Sequence, residues 1–500
     1  MLARLRSRVN YSSLAAALLV AVGLFLRLRH YFAGRPLWID EAMLALNLIQ
    51  RDFAGLLKPL DYEQGAPLGF LLAQKTLITL LGSGELALRL LPFLAGYALL
   101  IVSALWLKRF LSAPGWLLAL ALIAVSPTLV YYSAENKQYM LDAALTLMIL
   151  WLATRRLPLP AFHFPLLTLL GAVGLWFSHP LIFTLAAVGL TGLIFECSHD
   201  WRAWLVTIAV WLASFGLLYA VSLRGLAQND FLLTFWQDFF LPIPPTTSWL
   251  AKQFNDMFAS FSAAGLGLQT PLWFNLLGIF TGILWLGMRQ PRVMVQIGLI
   301  FAAALAASAL RKYPFGGRMV LFLLPLVAAL LGASMDALYK IVRRLAGNIP
   351  AGLLTVALGV VFVFAPVQAS AEPLIHPYMH EDISQALSAL RQARQPEDAV
   401  YIYPAASPAF LYYAPRYGFA LEDFVVGDYL QGQSNIKQIR ADLQPLQNAP
   451  RLWILFAHVY AEGDFNEMQA ALNFLRPVWR CKTHTRASGT GVTLTLCVKR

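Results

Sequence analysis

Residues 66–81, APLGFLLAQKTLITLL, form the one apolar stretch whose path decides the topology of everything after it. The run is shorter than the ~20 residues that span a bilayer, and it holds Gln74 and Lys75, so it either crosses a membrane or lies along its interface. The stretches around it are better spans: 13–28 before it, then 86–107, 115–130, 139–153, 162–177, 181–195, 203–222, 270–287, 293–310, 319–338 and 350–367. If 66–81 does not cross and the N-terminus is cytoplasmic, Lys108/Arg109, Arg155/Arg156, Arg202, Arg289/Arg292 and Lys340/Arg343/Arg344 all fall on the cytoplasmic side, as the positive-inside rule prefers. If it crosses, every one of them moves outside. The non-crossing path is therefore adopted, with eleven crossings. The first span fits less well, because Arg27, Arg29 and Arg35 put basic charge at its outer end too.

Composition agrees with repeated crossing. The 500 residues are 59% hydrophobic and 13% charged, with a mean hydropathy of +0.62, too apolar for a water-soluble chain. The net charge of +12 sits largely in short loops beside the spans, where cytoplasmic retention of Lys and Arg accounts for it, and nucleic-acid binding is set aside. Arg4, Arg6 and Arg8 precede the first apolar run as in a signal peptide, but no small-x-small cleavage site follows before Tyr31, so the run reads as an uncleaved crossing. Of three cysteines, Cys197 falls in a short connection. Cys481 and Cys497 flank a strand-turn-strand pattern and form either a disulfide, if that end is extracytoplasmic, or two core thiols.

Beyond residue 367 the pattern becomes mixed. The expected organisation is an all-α polytopic membrane domain over 1–370, with about eleven transmembrane helices plus interfacial helices, and a small extracytoplasmic α/β domain over 371–500. Within the latter, helices are expected at 384–394 and 465–475, buried strands at 399–403 and 452–457, and a strand at 492–498 after a turn at 488–491. There is no internal repeat.

On this topology four clusters of ionisable residues face outward, and charge beside a bilayer is costly enough to make each a functional candidate. Trp38-Ile39-Asp40-Glu41 follows the first span; Asp40 either caps the helix that runs to about Gln50 or serves chemistry. Asp61-Tyr62-Glu63-Gln64-Gly65-Ala66-Pro67 sets Glu63 at a bend or is a plain loop. Residues 131–142 bring Tyr131, Tyr132, Glu135, Lys137, Tyr139 and Asp142 together; if helical throughout, Glu135, Tyr139 and Asp142 share one face. Residues 311–318 hold Arg311, Lys312 and Arg318 around Gly316-Gly317, suited to phosphate or to lipid headgroups. His179 reads as a structural residue at a helix end.

These landmarks resemble the polyprenyl-phosphate-dependent glycosyltransferases of the GT-C class, in the branch of dolichyl-phosphate-mannose protein mannosyltransferases and bacterial aminoarabinose transferases. The resemblance spans roughly the first 340 residues. It rests on Trp38, Asp40 and Glu41, on Ala66 to Gly69, on Glu85 with Arg89 and Pro92, on Ser126-Pro127 through Tyr131, Tyr132, Tyr139 and Asp142, and on Pro314 to Arg318. It implies interfacial helices in the first outer loop, a sugar donor carried on a polyprenyl phosphate, and a glycan, lipid or protein acceptor arriving from the periplasmic side of a bacterial inner membrane. It assigns Asp40 to the catalytic carboxylate of the first loop, and Glu63 to an acidic position that contacts a divalent metal in aminoarabinose transferases. Residues 224–269 contain no histidine to match that enzyme's metal partner.

The chemistry stands beside the resemblance. An acceptor hydroxyl needs a carboxylate to take its proton, for which Asp40 is the choice, with Glu41 and Asp142 beside it in the catalytic set. A lipid phosphate leaving group needs cations rather than an acid, so Arg318, Arg311, Lys312 and Lys137 are assigned to it. Glu63, Glu135 and Tyr139 complete the substrate contacts. A transporter or lipid flippase is the rival reading, though such proteins usually show internal repeats and midplane charges.

Overall fold

The computed structural model describes residues 11–154, 160–196, 200–259, 265–375, 379–429, 435–486 and 491–500. Arg155, Arg156, Cys197 and most of the expected turn at 488–491 lie outside them.

Seventeen helices fill the first three-quarters of the described chain: α1 (Tyr11–Phe32), α2 (Ile39–Gln50), α3 (Leu68–Leu81), α4 (Glu85–Leu107), α5 (Ala113–Val125), α6 (Pro127–Tyr132), α7 (Tyr139–Ala153), α8 (Pro160–Gly174), α9 (Leu181–Glu196), α10 (Trp201–Leu218), the short α11 (Arg224–Leu226) and α12 (Asp230–Phe235), α13 (Thr247–Ala259), α14 (Leu272–Arg289), α15 (Pro291–Ala309), α16 (Leu324–Ala346) and α17 (Asn348–Ile375). Each of the eleven expected spans is helical. Among the described residues, seven stretches are long and apolar enough to cross a membrane: α1, α4, 201–226, α14, α15, 317–346 and α17. The helices α3, α5, α7, α8 and α9 are apolar but shorter. The chain is a multi-pass membrane protein.

Two compact units divide these residues. One takes 1–33, 66–73 and 89–376; the other gathers 34–65 and 74–88 with 377–500.

In the first unit, proline and small residues mark where helices begin and touch. Pro127 opens α6 while Ser126 Oγ accepts the Leu129 N–H at 3.3 Å, and Pro291 opens α15. The helices α5 and α16 pack backbone to backbone: a Cβ on Gly115 would stand 2.2 Å from the Gly332 carbonyl oxygen, and one on Gly332 would stand 2.4 Å from that of Gly115. Small residues at such a crossing let membrane helices gain close van der Waals contact. Asp336 of α16 fastens the same crossing. Its buried carboxylate accepts the Ser112 N–H and hydroxyl, both at 2.6 Å, and the Gly115 N–H at 2.8 Å, satisfying donors at the start of α5.

Arg27 departs from the expectation of an outer loop charge. It is fully buried, and its guanidinium donates to the carbonyls of Gly23, Ala124 and Ile123 at 3.0–3.1 Å. The last two close the C-terminus of α5, where unpaired carbonyls favour a cation, so Arg27 carries no information on sidedness.

The other basic loops collect at one end of this bundle. Lys108 lies over Trp116 and Arg109 over Trp151, while Arg289 and Lys340 share Trp285. Arg292 pairs with Glu196 and donates to the Ala153 carbonyl. Tryptophan beside cations is the composition of a membrane interface.

In the second unit, 377–500 folds as an α/β layer. Its strands are β1 (Ala399–Ile402), β2 (Val425–Val426), β3 (Arg451–Phe456), β4 (Ala461–Glu462), β5 (Phe465–Asn466), β6 (Trp479–Arg486) and β7 (Thr493–Lys499), and its helices are α18 (Ile383–Ala393), α19 (Ser407–Tyr413), α20 (Ile436–Leu443) and α21 (Glu467–Leu475). The main sheet runs β2-β1-β3-β7-β6, the first three strands parallel and the rest antiparallel. Cys481 and Cys497 face each other across β6 and β7 as a disulfide. The expected elements recur within a residue or two, except that 465–466 pairs as β5 before α21 begins.

Replacing Asp336 by alanine strands the α5 donors it now satisfies. The expected loss is about 2 kcal/mol, read as a lower melting temperature in detergent, with exposed Arg344→Ala as the near-neutral control.

Candidate active site

Each unit carries one group of the expected site residues. In the second unit, Trp38 occupies the N-cap position of α2, with no side-chain cap. Asp40 is therefore inside the first turn rather than capping it. Asp40 and Glu41 are both buried, an arrangement that costs free energy unless neighbours compensate. The residues packed around the start of α2 come from far along the chain. Glu381 Oε2 accepts the Ile39 N–H at 2.9 Å, one of the free N–H groups in the first turn of α2, and Glu381 Oε1 meets His458 Nδ1 at 2.6 Å. His380 stacks on Trp38 at 5.4 Å. Two residues upstream, the Leu37 N–H donates to the Tyr413 hydroxyl, which itself donates to Glu85 Oε1, both at 2.8 Å; Arg416 also donates to Glu85 Oε1. Glu85, singled out by motif, thus serves to hold Tyr413.

Electrostatics follow from this packing. The hydrogen bond to Glu381 raises the His458 imidazole above its ordinary value. Burial, with the Arg35 charge, lowers that of His380. The Tyr429 phenol is pushed up to about 12 by burial and by the nearby Asp40 and Glu381 carboxylates.

Glu63 and Asp61 are exposed. Asp61 pairs with Arg51 at 2.8 Å, and Tyr62 and Glu63 both adopt left-handed backbone, φ 60° and 52°, a strained conformation for such side chains. The bend expected at Glu63 is present. A metal there would need converging ligands, and among the described residues no three His, Cys, Asp or Glu side chains converge anywhere. The donor set around Glu63 does not fit a metal.

In the first unit the second group lies at the end of the bundle opposite the tryptophan-basic end. Helix α7 starts at Tyr139, so Glu135 is in the preceding turn and does not share a helical face with Tyr139 and Asp142. Glu135, Lys137, Tyr139 and Asp142 are nonetheless all buried. Asp142 lies beside Ser178 and close enough to Tyr313 to raise that phenol further after burial has done so. His179 is half-buried, and desolvation lowers its imidazole to about 4 and keeps it neutral. Arg318 sits over the rings of Tyr139 and Trp236 at 5.6 and 5.8 Å, and Tyr132 meets Tyr139 edge-on at 5.5 Å. Arg311 and Lys312 are exposed instead, with Arg311 over Phe240. Gly316 is required by close packing: a Cβ there would lie 2.2 Å from Phe239 and 2.3 Å from Gln253.

Sequence reasoning did not find Glu381, His380, His458, Tyr413, Tyr429 or Trp236. Only Trp236 stood in a stretch already under scrutiny.

Structural comparison identifies the architecture. ArnT from Cupriavidus metallidurans bound to undecaprenyl phosphate superposes over 98% of this chain and 98% of its own, with a TM-score of 0.55 at 14% identity. The chain has the GT-C fold. The apo state of ArnT matches over 96% and 97% at a TM-score of 0.51 and 14% identity. The archaeal oligosaccharyltransferase AglB from Archaeoglobus fulgidus, in complex with an inhibitory peptide and a dolichol-phosphate, matches over 89% of this chain and 69% of its own, at a TM-score of 0.53 and 10% identity. The resemblance drawn from the motifs is borne out in the fold. No protein-family model and no curated protein sequence matches the chain.

The His458–Glu381 contact makes stability depend on pH. A raised folded-state value means that its contribution is complete below the unfolded value of ~6.5 and is lost as pH rises through the folded value. The melting-temperature gap between the native chain and Glu381→Gln is therefore expected to be largest in mild acid and to narrow at alkaline pH; a gap that widens with pH contradicts the contact.

Proposed function

We propose that the chain is a membrane glycosyltransferase that moves a sugar from a polyprenyl-phosphate donor to an acceptor hydroxyl, with Asp40 as general base. The observation that carries this reading is a buried Asp40-Glu41 pair at the start of α2, held from Ile39 by Glu381, in a chain with the GT-C fold along nearly its whole length. Solved neighbours of that fold hold undecaprenyl phosphate and dolichol-phosphate, which supports a lipid phosphate donor here.

In the step proposed, the acceptor oxygen bonds to the anomeric carbon as the bond from that carbon to the phosphate oxygen breaks. The hydroxyl proton passes to the Asp40 carboxylate, and polyprenyl phosphate leaves with the bonding pair as its negative charge. Arg318 and Lys137 balance that charge, with the exposed Arg311 and Lys312 attracting the phosphate at the membrane surface. Asp142, Glu135 and Tyr139 hold sugar hydroxyls, and Glu41 and Glu63 orient the acceptor. An apolar cavity of about 390 Å³ among α14, α16 and α17, lined in part by Phe274, Trp285, Met335 and Phe362, has the chemistry to take an isoprenoid chain. The site is proposed to work at the periplasmic face of a bacterial inner membrane, with the N-terminus cytoplasmic and 371–500 periplasmic.

Asp40→Asn preserves shape and removes the base. Transfer of labelled sugar from a polyprenyl phosphate by the purified chain is expected to fall about 10²- to 10⁴-fold with the melting temperature unchanged, and Arg318→Gln to fall as well. Full activity in Asp40→Asn removes Asp40 from the role of base.

A further inference from the structure

The α/β layer has a feature that the proposed transfer does not yet use. Its parallel strands run in the order β2-β1-β3, so the chain leaves β1 to one side for β2 and then passes to the other side for β3. In open α/β sheets such a switch opens a crevice beyond the carboxyl ends of the strands, and ligands bind there.

A cavity of about 250 Å³ occupies this place, and each parallel strand supplies part of its wall just past its last residue. Strand β1 ends at Ile402 and leads into Tyr403, Pro404 and Ala405. Strand β2 ends at Val426 and leads to Tyr429. Strand β3 ends at Phe456 and leads to His458, Val459 and Tyr460. The floor is rigid. Buried Glu467 accepts from the Tyr403 hydroxyl and from the Asn435 N–H, and the Tyr403 hydroxyl in turn accepts the Tyr460 N–H at 3.1 Å. His458 enters the wall with left-handed backbone, φ 50°, a local cost that well-formed sites tolerate. With its Nδ1 committed to Glu381, any hydrogen bond it gives a ligand comes from Nε2.

From this geometry we infer that the cavity at the carboxyl ends of β1, β2 and β3 is an acceptor subsite that binds one sugar ring of a polyhydroxylated acceptor. Three tyrosine rings offer apolar faces for the C–H side of a sugar, while the Tyr429 hydroxyl, the Asn435 amide and His458 offer hydrogen bonds to its hydroxyls. The volume lies just under the ~300 Å³ at which drug-sized pockets begin, which favours a single ring over an extended chain. Two of the lining residues, Tyr429 and His458, sense the Asp40 charge, so an acceptor held here stands within reach of that carboxylate's field. The inference rests on the reading of Asp40 as base and adds the acceptor's chemical class.

The test uses the full chain in nanodiscs and the methyl glycosides of glucose, galactose and mannose as probes, with binding read by saturation-transfer NMR. At least one glycoside is expected to bind saturably, and Tyr429→Ala and Tyr460→Ala each to weaken it at least tenfold while the melting temperature and undecaprenyl-phosphate binding hold. Tyr429→Phe, which keeps the ring and removes the hydroxyl, serves as a milder third variant if either alanine change lowers the melting temperature. Asp40→Asn is expected to bind the glycoside like the native chain. No saturable binding by any of the three, or binding that both tyrosine variants leave intact, overturns the subsite. Normal transfer by Asp40→Asn alongside the expected binding pattern overturns the base and leaves the subsite standing.

Discussion

The carboxylate of Glu381 is the contact on which the second unit depends. One oxygen takes the first free N–H of α2 and the other takes an imidazole nitrogen of His458, so a single side chain joins the helix that carries Asp40 to the end of strand β3. A side chain at the cap position reaches the second or third N–H of a helix and not the first, so this donor needs a partner from outside the turn. Supplying it from residue 381 makes the position of Asp40 a property of the α/β layer, and Tyr413, bridging Leu37 and Glu85, repeats the device two residues earlier. The C-terminal segment is thereby a structural part of the loop that bears the proposed base.

In the membrane unit the governing constraint is the cost of charge away from water. The bundle meets it by sorting. Lysines and arginines gather with tryptophans at one end, and Arg27, inside the first span, is hydrogen-bonded by the carbonyls at the end of α5. Buried Glu135, Lys137 and Asp142 are confined to the other end with tyrosines and Arg318. A group of that kind gives little stability in return for its burial, which is the usual signature of residues kept for chemistry.

Much of the fold was legible because hydropathy and strand alternation are local properties. All eleven apolar runs are helices, and the strands at 399–402, 451–456 and 493–499 lie where the pattern put them. The carboxylates Asp40 and Asp142 were legible through short motifs. What was not legible is tertiary: Glu381 meets Ile39 across 342 positions, and no periodicity records such a pairing. Arg27 was misread because a loop charge and a buried helix cap look alike until the neighbouring helix is in place. A shared face for Glu135, Tyr139 and Asp142 required helix throughout, and spacing cannot reveal that α7 begins four residues after Glu135. The cavity beyond β1, β2 and β3 depends on strand order, which a list of strands does not contain.

The most direct measurement of whether Glu381 acts through Asp40 is a double-mutant cycle in sugar transfer from polyprenyl phosphate, comparing Glu381→Ala, Asp40→Asn and the combined variant. Residues that act as a unit lose their effects together, so the account predicts that Glu381→Ala slows the native chain markedly but costs almost nothing once Asp40 is asparagine. Losses that multiply independently would contradict it.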